Sequence, residues 1–219
     1  MKASLVAAGN PIDKDILLKY CKDSFVVCAD YGIKNFIGLE ILPDLIIGDL
    51  DSSDEECKKF IEDKNIELIK LNTRKDFTDS ESALSYLIEN KYDEITLLSV
   101  TGSRLDHTLS NIFLLEKYFD KAKIKIIDNN NEISYIEEGE YIFSKDNYKY
   151  LSIISISDKI LLSSQGLSYE VKNSTINRAA SLGVSNEIIN EKAKIILHKG
   201  KALIIKSKDW LISVLFYIL

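Results

Sequence analysis

The chain has 219 residues, 46% of them hydrophobic and 28% charged, the composition of a globular protein with one large domain or two modest ones. Its net charge of −6 excludes a general nucleic-acid binder, which needs a basic face, but leaves room for a basic pocket. No run approaches the roughly 20 apolar residues of a membrane-spanning helix, so neither nucleic acid nor membrane is an expected partner.

The opening "MKASLVAAGN" reads as a first strand rather than a signal peptide. From there, short apolar runs alternate with helical patterns. "SLVAA" leads to "DKDILLKY", "SFVVCA" to "YGIKNFIGL", and "DLIIG" to "SDEECKKFIE". "IELIKL" then leads to "TDSESALSYLIE", "EITLLSV" to "LDHTLSNIFLLEKYF", and "AKIKIID" closes the series. Five strand–helix repeats predict a mostly parallel sheet with helices on both faces, a Rossmann-like three-layer α/β domain. No GxGxxG follows a strand and no GxxxxGK[ST] is present, so this is neither an evident dinucleotide site nor a P-loop.

At "DNNNE", residues 128–132, the helical period fades. The runs that follow are short and β-rich: "EYIFS", "YLSIISIS", "KILLSS", "LSYEV", "KIILH", "ALIIK" and "WLISVLFYI". Turn signals at "EEGE", "SQG" and "HKGK" separate them. We therefore expect an α/β domain over residues 1–130 and an all-β domain, an antiparallel sandwich or barrel, over 131–219. The apolar ending is too short to span a bilayer and reads as a buried strand. The cysteines Cys21, Cys28 and Cys57 are odd in number and lack a CxxC. They read as reduced thiols of a cytoplasmic protein, with no zinc site.

Ligands of open α/β sheets bind beyond the carboxyl ends of the strands, so those ends are where chemistry is expected. Gly9 and Asn10 follow the first strand, and Asp30 the second. Gly48, Asp49, Leu50, Asp51 and Ser52 follow the third. Lys75, Asp76, Phe77, Thr78 and Asp79 follow the fourth, and Thr101, Gly102, Ser103, Arg104, Leu105, Asp106 and His107 the fifth. So many carboxylates on one edge call for a counter-charge. A hard divalent cation such as magnesium supplies it through oxygen ligands. With Lys75 and Arg104 facing anionic oxygens, the set is that of phosphoryl transfer.

Plainer roles compete at several positions. "SDEE" and "TDSE" read as capping boxes led by Ser53 and Thr78. Asp79 and Asp106 each lie in a first helical turn, where the helix dipole alone favours a carboxylate, and Asp30 reads equally as a cap. His107 reads as a hydrogen-bonding structural histidine. The pair Asp49 and Asp51 is harder to explain so, because one aspartate suffices to end a strand.

"PDLIIGDLDS", "KDFTD" and "TGSRLDHTLSNI", in that order and spacing, resemble the signature segments of the thiamine pyrophosphokinase family. The resemblance covers the whole chain. It implies an α/β catalytic domain followed by a thiamine-binding β-sandwich, and transfer of a diphosphoryl group from ATP to the hydroxyl of thiamine with release of AMP. It implies that Asp49, Asp51 and Asp79 hold Mg2+ against the triphosphate, with Asp76 and Asp106 completing the acidic cluster. Gly48 would let the backbone approach closely, the Thr101–Gly102–Ser103 turn would present N–H groups to phosphate, and Arg104 would pair with phosphate oxygens. Asn10, Asp30 and Lys75 fall where the family handles the nucleotide or substrate. An aspartate near the hydroxyl would accept its proton, with Asp76 preferred.

In the second half, "GLSYE" and "GVSNE" resemble the thiamine-contacting segments, which singles out Tyr169, Ser185 and Asn186. Tyr169 stands where the family has tryptophan, and its ring can still stack on a cationic thiazolium. In "CADYG", Tyr31 replaces a glycine of the family pattern, and Ser103 stands where glycine is common. The resemblance also implies a homodimer with shared active sites. Two rival readings remain. "GDLDSS" superficially matches the start of haloacid-dehalogenase-type phosphatases, and a catalytically silent nucleotide or thiamine sensor would keep the pockets without turnover.

Overall fold

The computed structural model describes residues 1–50, 54–70 and 77–209. The chain divides into two compact units, Met1–Asn129 with Ile133–Tyr135, and Asn130–Glu132 with the chain from Ile136 onward.

The first unit runs β1 (Lys2–Val6), α1 (Lys14–Cys21), β2 (Phe25–Ala29), a 3-10 helix (Asp30–Phe36) and β3 (Leu45–Gly48). It continues with α2 (Glu55–Lys64), β4 (Glu67–Lys70), α3 (Asp79–Glu89), β5 (Glu94–Leu98), α4 (Leu105–Lys117) and β6 (Lys123–Ile127). These six strands lie in the order β4-β3-β2-β1-β5-β6, and each neighbouring pair is parallel. The continuous apolar runs of β2 and β3 follow from burial on both faces. Ser4 donates to Tyr20 O at the end of α1, at 2.6 Å. Val6 joins Leu17, Cys28, Ile46, Cys57 and Ile61 in one core with the 3-10 helix. Alternation sends Ala3 and Leu5 to the opposite face, where α3 packs across β1, β2 and β3.

Two expectations change here. The run "YGIKNFIGL" forms a 3-10 helix, not an α-helix. Asp30, with φ +46°, turns the chain sharply at its start. A Cβ on Gly32 would meet Val6 C at 2.9 Å, so this segment lies tight against β1. The N-cap of α2 is Asp54, whose side chain accepts from Cys57 N; the expected cap Ser53 lies outside the described residues. Thr78 does cap α3, with Oγ1 accepting from Glu81 N at 3.2 Å.

The polar stretch after residue 130 opens β7 (Asn131–Ile136) rather than a loop. The second unit then runs β8 (Gly139–Ser144), β9 (Tyr150–Ser155), β10 (Lys159–Gln165), β11 (Ser174–Asn177), β12 (Lys192–Lys199) and β13 (Ala202–Ser207). β11-β10-β12-β8 form an antiparallel sheet, and β13 pairs antiparallel with β9. One apolar core draws on both, with Leu162, Ile195 and Leu197 from the sheet and Leu151, Ile153 and Ile204 from the pair. "LSYEV" is a loop rather than a strand, touching Ile188 through a single bridge at Leu167. "WLISVLFYI" lies outside the described residues.

Candidate active site

In the parallel sheet β1 is flanked by β2 on one side and β5 on the other. The chain thus reverses its direction of travel across the sheet there, which is where ligands of open α/β sheets bind. A cavity of about 430 Å³ lies at that edge. Asn10, Asp30, Asp79, Thr101, Gly102, Ser103 and Arg104, all expected from the sequence, line it. Ser80, Ser99, His107, Thr108 and Asn111 line it too.

Backbone pairing continues past the strand ends and builds the floor. Gly9 N donates to Ser99 O at 2.6 Å and Asn10 N to Thr101 O at 2.7 Å. A Cβ on Gly102 would lie 3.3 Å from Asn10 N, so the two loops are closely apposed. The β5–α4 turn is held from within α4. Thr108 Oγ1 accepts from Gly102 N at 3.0 Å, and buried Asn111 donates through Nδ2 to Val100 O at 2.7 Å. The Gly102 N–H, expected to face phosphate, is thus taken by Thr108.

Gly48 was expected to admit a ligand close to the backbone. Its lack of a side chain already serves an internal contact, since a Cβ there would meet Asp30 Cα at 2.9 Å. The close approach is between neighbouring strand ends, and it fixes where Asp30 and the following Asp49 stand. The Arg104 guanidinium bonds Asp106 at 2.6 Å. This hydrogen bond and the His107 backbone hold the Asp106 carboxyl down to about 2, so Asp106 is an anion at any neutral pH. Both side chains are exposed.

The first turns of α3 and α4 both contribute to the cavity wall, through Asp79 and Ser80 and through His107 and Thr108. Helix N-termini favour anions, so with Arg104 the wall suits phosphate. Ser80, Thr108 and Asn111 were not anticipated. Positions 104, 107, 108 and 111 repeat at helical spacing, and that periodicity of polar groups was the signal available. Asp51, Lys75 and Asp76 lie outside the described residues. Among the described residues no group of three or more His, Cys, Asp or Glu forms a metal cluster, so the expected set Asp49, Asp51 and Asp79 is only partly in view.

In the second unit the residues singled out do come together. Tyr169 is 75% exposed. Its N–H donates to Asn186 Oδ1 at 3.0 Å, and Asn186 Nδ2 donates back to Tyr169 O at 2.8 Å. Buried Asn186 is thereby committed to holding the Tyr169 backbone. Ser185, with φ +58°, donates through its N–H to Ser152 Oγ at 3.0 Å.

Residues 18–127 match the family profile described as the thiamin pyrophosphokinase catalytic domain, and residues 140–201 that of its vitamin B1 binding domain. Thiamine pyrophosphokinase of Bacillus subtilis (strain 168) is 33% identical over 214 residues, 95% of this chain and 100% of its own length. The crystal structure of a B. subtilis thiamine pyrophosphokinase superposes with a TM-score of 0.87 at 31% identity, over 95% of this chain and 100% of that one. The corresponding structure from Geobacillus thermodenitrificans gives 0.87 at 29% identity, over 96% and 99%. With both domain profiles matched in order and a relative aligned along its full length, the chain belongs to the thiamin pyrophosphokinase family.

Proposed function

We propose that this protein is a thiamine diphosphokinase, transferring the diphosphoryl group of ATP to the hydroxyl of thiamine and releasing AMP. Family membership carries the reaction, and the observation that localises it is the cavity at the β1–β5 switch point. The thiamine oxygen attacks the β-phosphorus in line as AMP leaves, so the protein contributes mainly position and charge. We read Asn10, Asp30, Gly48, Lys75, Thr101, Gly102, Ser103 and Arg104 as the nucleotide site. Arg104 would exchange Asp106 for phosphate oxygens, and Asp76 would take the hydroxyl proton.

Mg2+ fits the donor chemistry, because Asp49, Asp51 and Asp79 offer only hard carboxylate oxygens. Bound there with ATP, it would neutralise the charge that builds on the transferring phosphates. We read Tyr169 as the platform for thiamine, with Ser185 and Asn186 shaping its surroundings. Its exposed ring supports that reading.

We read residues 1–130 as a Rossmann-like three-layer catalytic domain and 131–219 as a thiamine-binding β-sandwich. The parallel strand order and the core between two antiparallel layers favour these labels. A homodimer with shared sites is supported by the exposed apolar stripe Leu105, Leu109 and Phe113 on α4. A cytoplasmic location accords with three buried free thiols, two of which burial pushes up to about 12 (Cys21) and about 11 (Cys57).

Incubation with ATP, Mg2+ and thiamine, followed by separation of products, tests the reaction. Thiamine diphosphate and AMP in equal yield are expected. Thiamine monophosphate with ADP would move the attack to the γ-phosphorus. Inorganic phosphate alone would favour a phosphatase, and binding without turnover a sensor. Neither rival has support among the relatives, and the aspartate pair follows β3 rather than the first strand.

A further inference from the structure

We propose that the end of β6 positions the cavity from behind, with Asp128 acting through the Thr101 hydroxyl and Asn129 through the loop that carries Asn10. The proposal rests on the reading of the β1–β5 cavity as the ATP site. Register puts the ends of β1, β5 and β6 level, since Val6 pairs with Leu98 and Leu98 with Ile127. The polar run that opens at Asp128 therefore leaves the sheet beside the 99–104 turn. There Thr101 Oγ1 donates to Asp128 Oδ2 at 3.1 Å. Asn129 reaches the loop after β1. Its Oδ1 accepts from Asp13 N at 2.8 Å and its Nδ2 donates to Pro11 O at 3.3 Å, so one amide holds the chain on both sides of Ile12.

α4 holds the residues on either side of Thr101, through Asn111 on Val100 O and Thr108 on Gly102 N. Thr101, between them, is fixed by its hydroxyl on Asp128 and by its carbonyl, which accepts from Asn10 N at 2.7 Å. Thr101 thus joins β6 to the loop after β1, and Asn129 joins the same two elements again beyond Asn10. Among the described residues, Asn10 and Thr101 line the cavity while Asp128 and Asn129 do not. A carboxylate is a costly acceptor to place behind a polyanion site, because like charges repel. A hydroxyl bonds a carboxylate more strongly than a neutral oxygen, which gives that charge a use. Loops already held in their binding geometry lose less freedom when a ligand arrives. The effect of Asp128 and Asn129 therefore belongs to ATP affinity rather than to the chemical step.

Asp128→Ala removes the acceptor, Asp128→Asn keeps an oxygen without the charge, and Thr101→Val removes the hydroxyl at nearly constant shape. Titration calorimetry with ATP and Mg2+ in the absence of thiamine reads each directly. The ATP Kd of Asp128→Ala should rise about three- to tenfold, and that of Asp128→Asn by less. Asn129→Ala should weaken ATP binding as well, through its own loop. In a Thr101→Val background Asp128→Ala should weaken binding no further, because the hydroxyl through which it acts is gone. For the Asp128 and Asn129 variants, kcat at saturating ATP and the KM for thiamine should stay at wild-type values. A merely structural Asp128 would lower the urea midpoint and leave the ATP Kd unchanged. That result, an undiminished loss in the Thr101→Val background, or a loss confined to kcat would overturn the proposal. Failure of the wild-type protein to diphosphorylate thiamine would count against the functional reading instead, since the calorimetry needs no turnover.

Discussion

The cap of α2 is Asp54, one residue on from the Ser53 that the capping-box pattern favours. The Tyr31 hydroxyl and the Cys57 N–H both bond it, and they hold its carboxyl at about 2 against an ordinary 3.8. A lowered folded-state value means that the carboxylate contributes stability above the unfolded value and loses it as pH falls through the folded one. The stability difference between wild type and Asp54→Asn should therefore be flat from pH 8 to about 5 and shrink between about pH 4 and pH 2. Urea denaturation across that range checks it, and a difference that persists unchanged to pH 2 would assign the stabilisation to another group. "SDEE" contains two residue types that cap helices equally well. Local pattern favoured Ser53, whereas a phenol 23 positions upstream selects Asp54. Such a partner leaves no trace in a four-residue window. The same limit applies to Asn186. Both ends of its amide bond the backbone of Tyr169, a partner that its own segment does not reveal.

At the scale of elements, legibility followed burial. The inner parallel strands β1, β2, β3 and β5 are buried along nearly their whole length, so their apolar runs stood out on both faces, and the outer β4 and β6 were visible from their place in the alternation. β11 has one buried residue, Ile176, among polar neighbours, and β7 opens on Asn131 and Glu132. Neither carries a pattern long enough to stand out. "LSYEV" had the composition of a strand, but Asn186 takes the N–H and C=O of Tyr169 that a ladder would use. α3 was legible at its start because its cap is local. Thr78 Oγ1 accepts from Glu81 N, and the Glu81 carboxylate pairs with Lys117 on α4. Lys117 in turn lies 4.9 Å from the Phe77 ring centroid. The turn that carries Asp79 is thus held both by its own cap and by a neighbouring helix. Thr78→Ala should cost about 1 kcal/mol in urea unfolding and raise the KM for ATP, with Thr78→Ser restoring both. If the KM stays at wild type while stability falls, the cap serves α3 without serving the site.

For the whole molecule, the sequence revealed two compositions and the structure two cores, but surface association must be argued from exposed side chains. α4 buries Leu114 and Leu115 and exposes Leu105, Leu109 and Phe113 at 70%, 52% and 44%. The three are spaced four residues apart and so share one stripe of the helix. An exposed apolar stripe of this kind marks an association surface more often than chance. Burying what remains exposed of these three side chains would contribute about 1 kcal/mol each, a part of a micromolar dimer's roughly 8 kcal/mol. Replacing Leu109 and Phe113 together by Asp should therefore convert a sedimenting dimer to a monomer. The exposed positions should leave the melting temperature of the monomeric fold and the far-ultraviolet spectrum unchanged. The shared-site proposal predicts that the monomer still binds Mg·ATP and loses diphosphoryl transfer to thiamine. A wild-type chain that sediments as a monomer would remove the shared-site reading. A dimer that survives both substitutions would move the interface to another face.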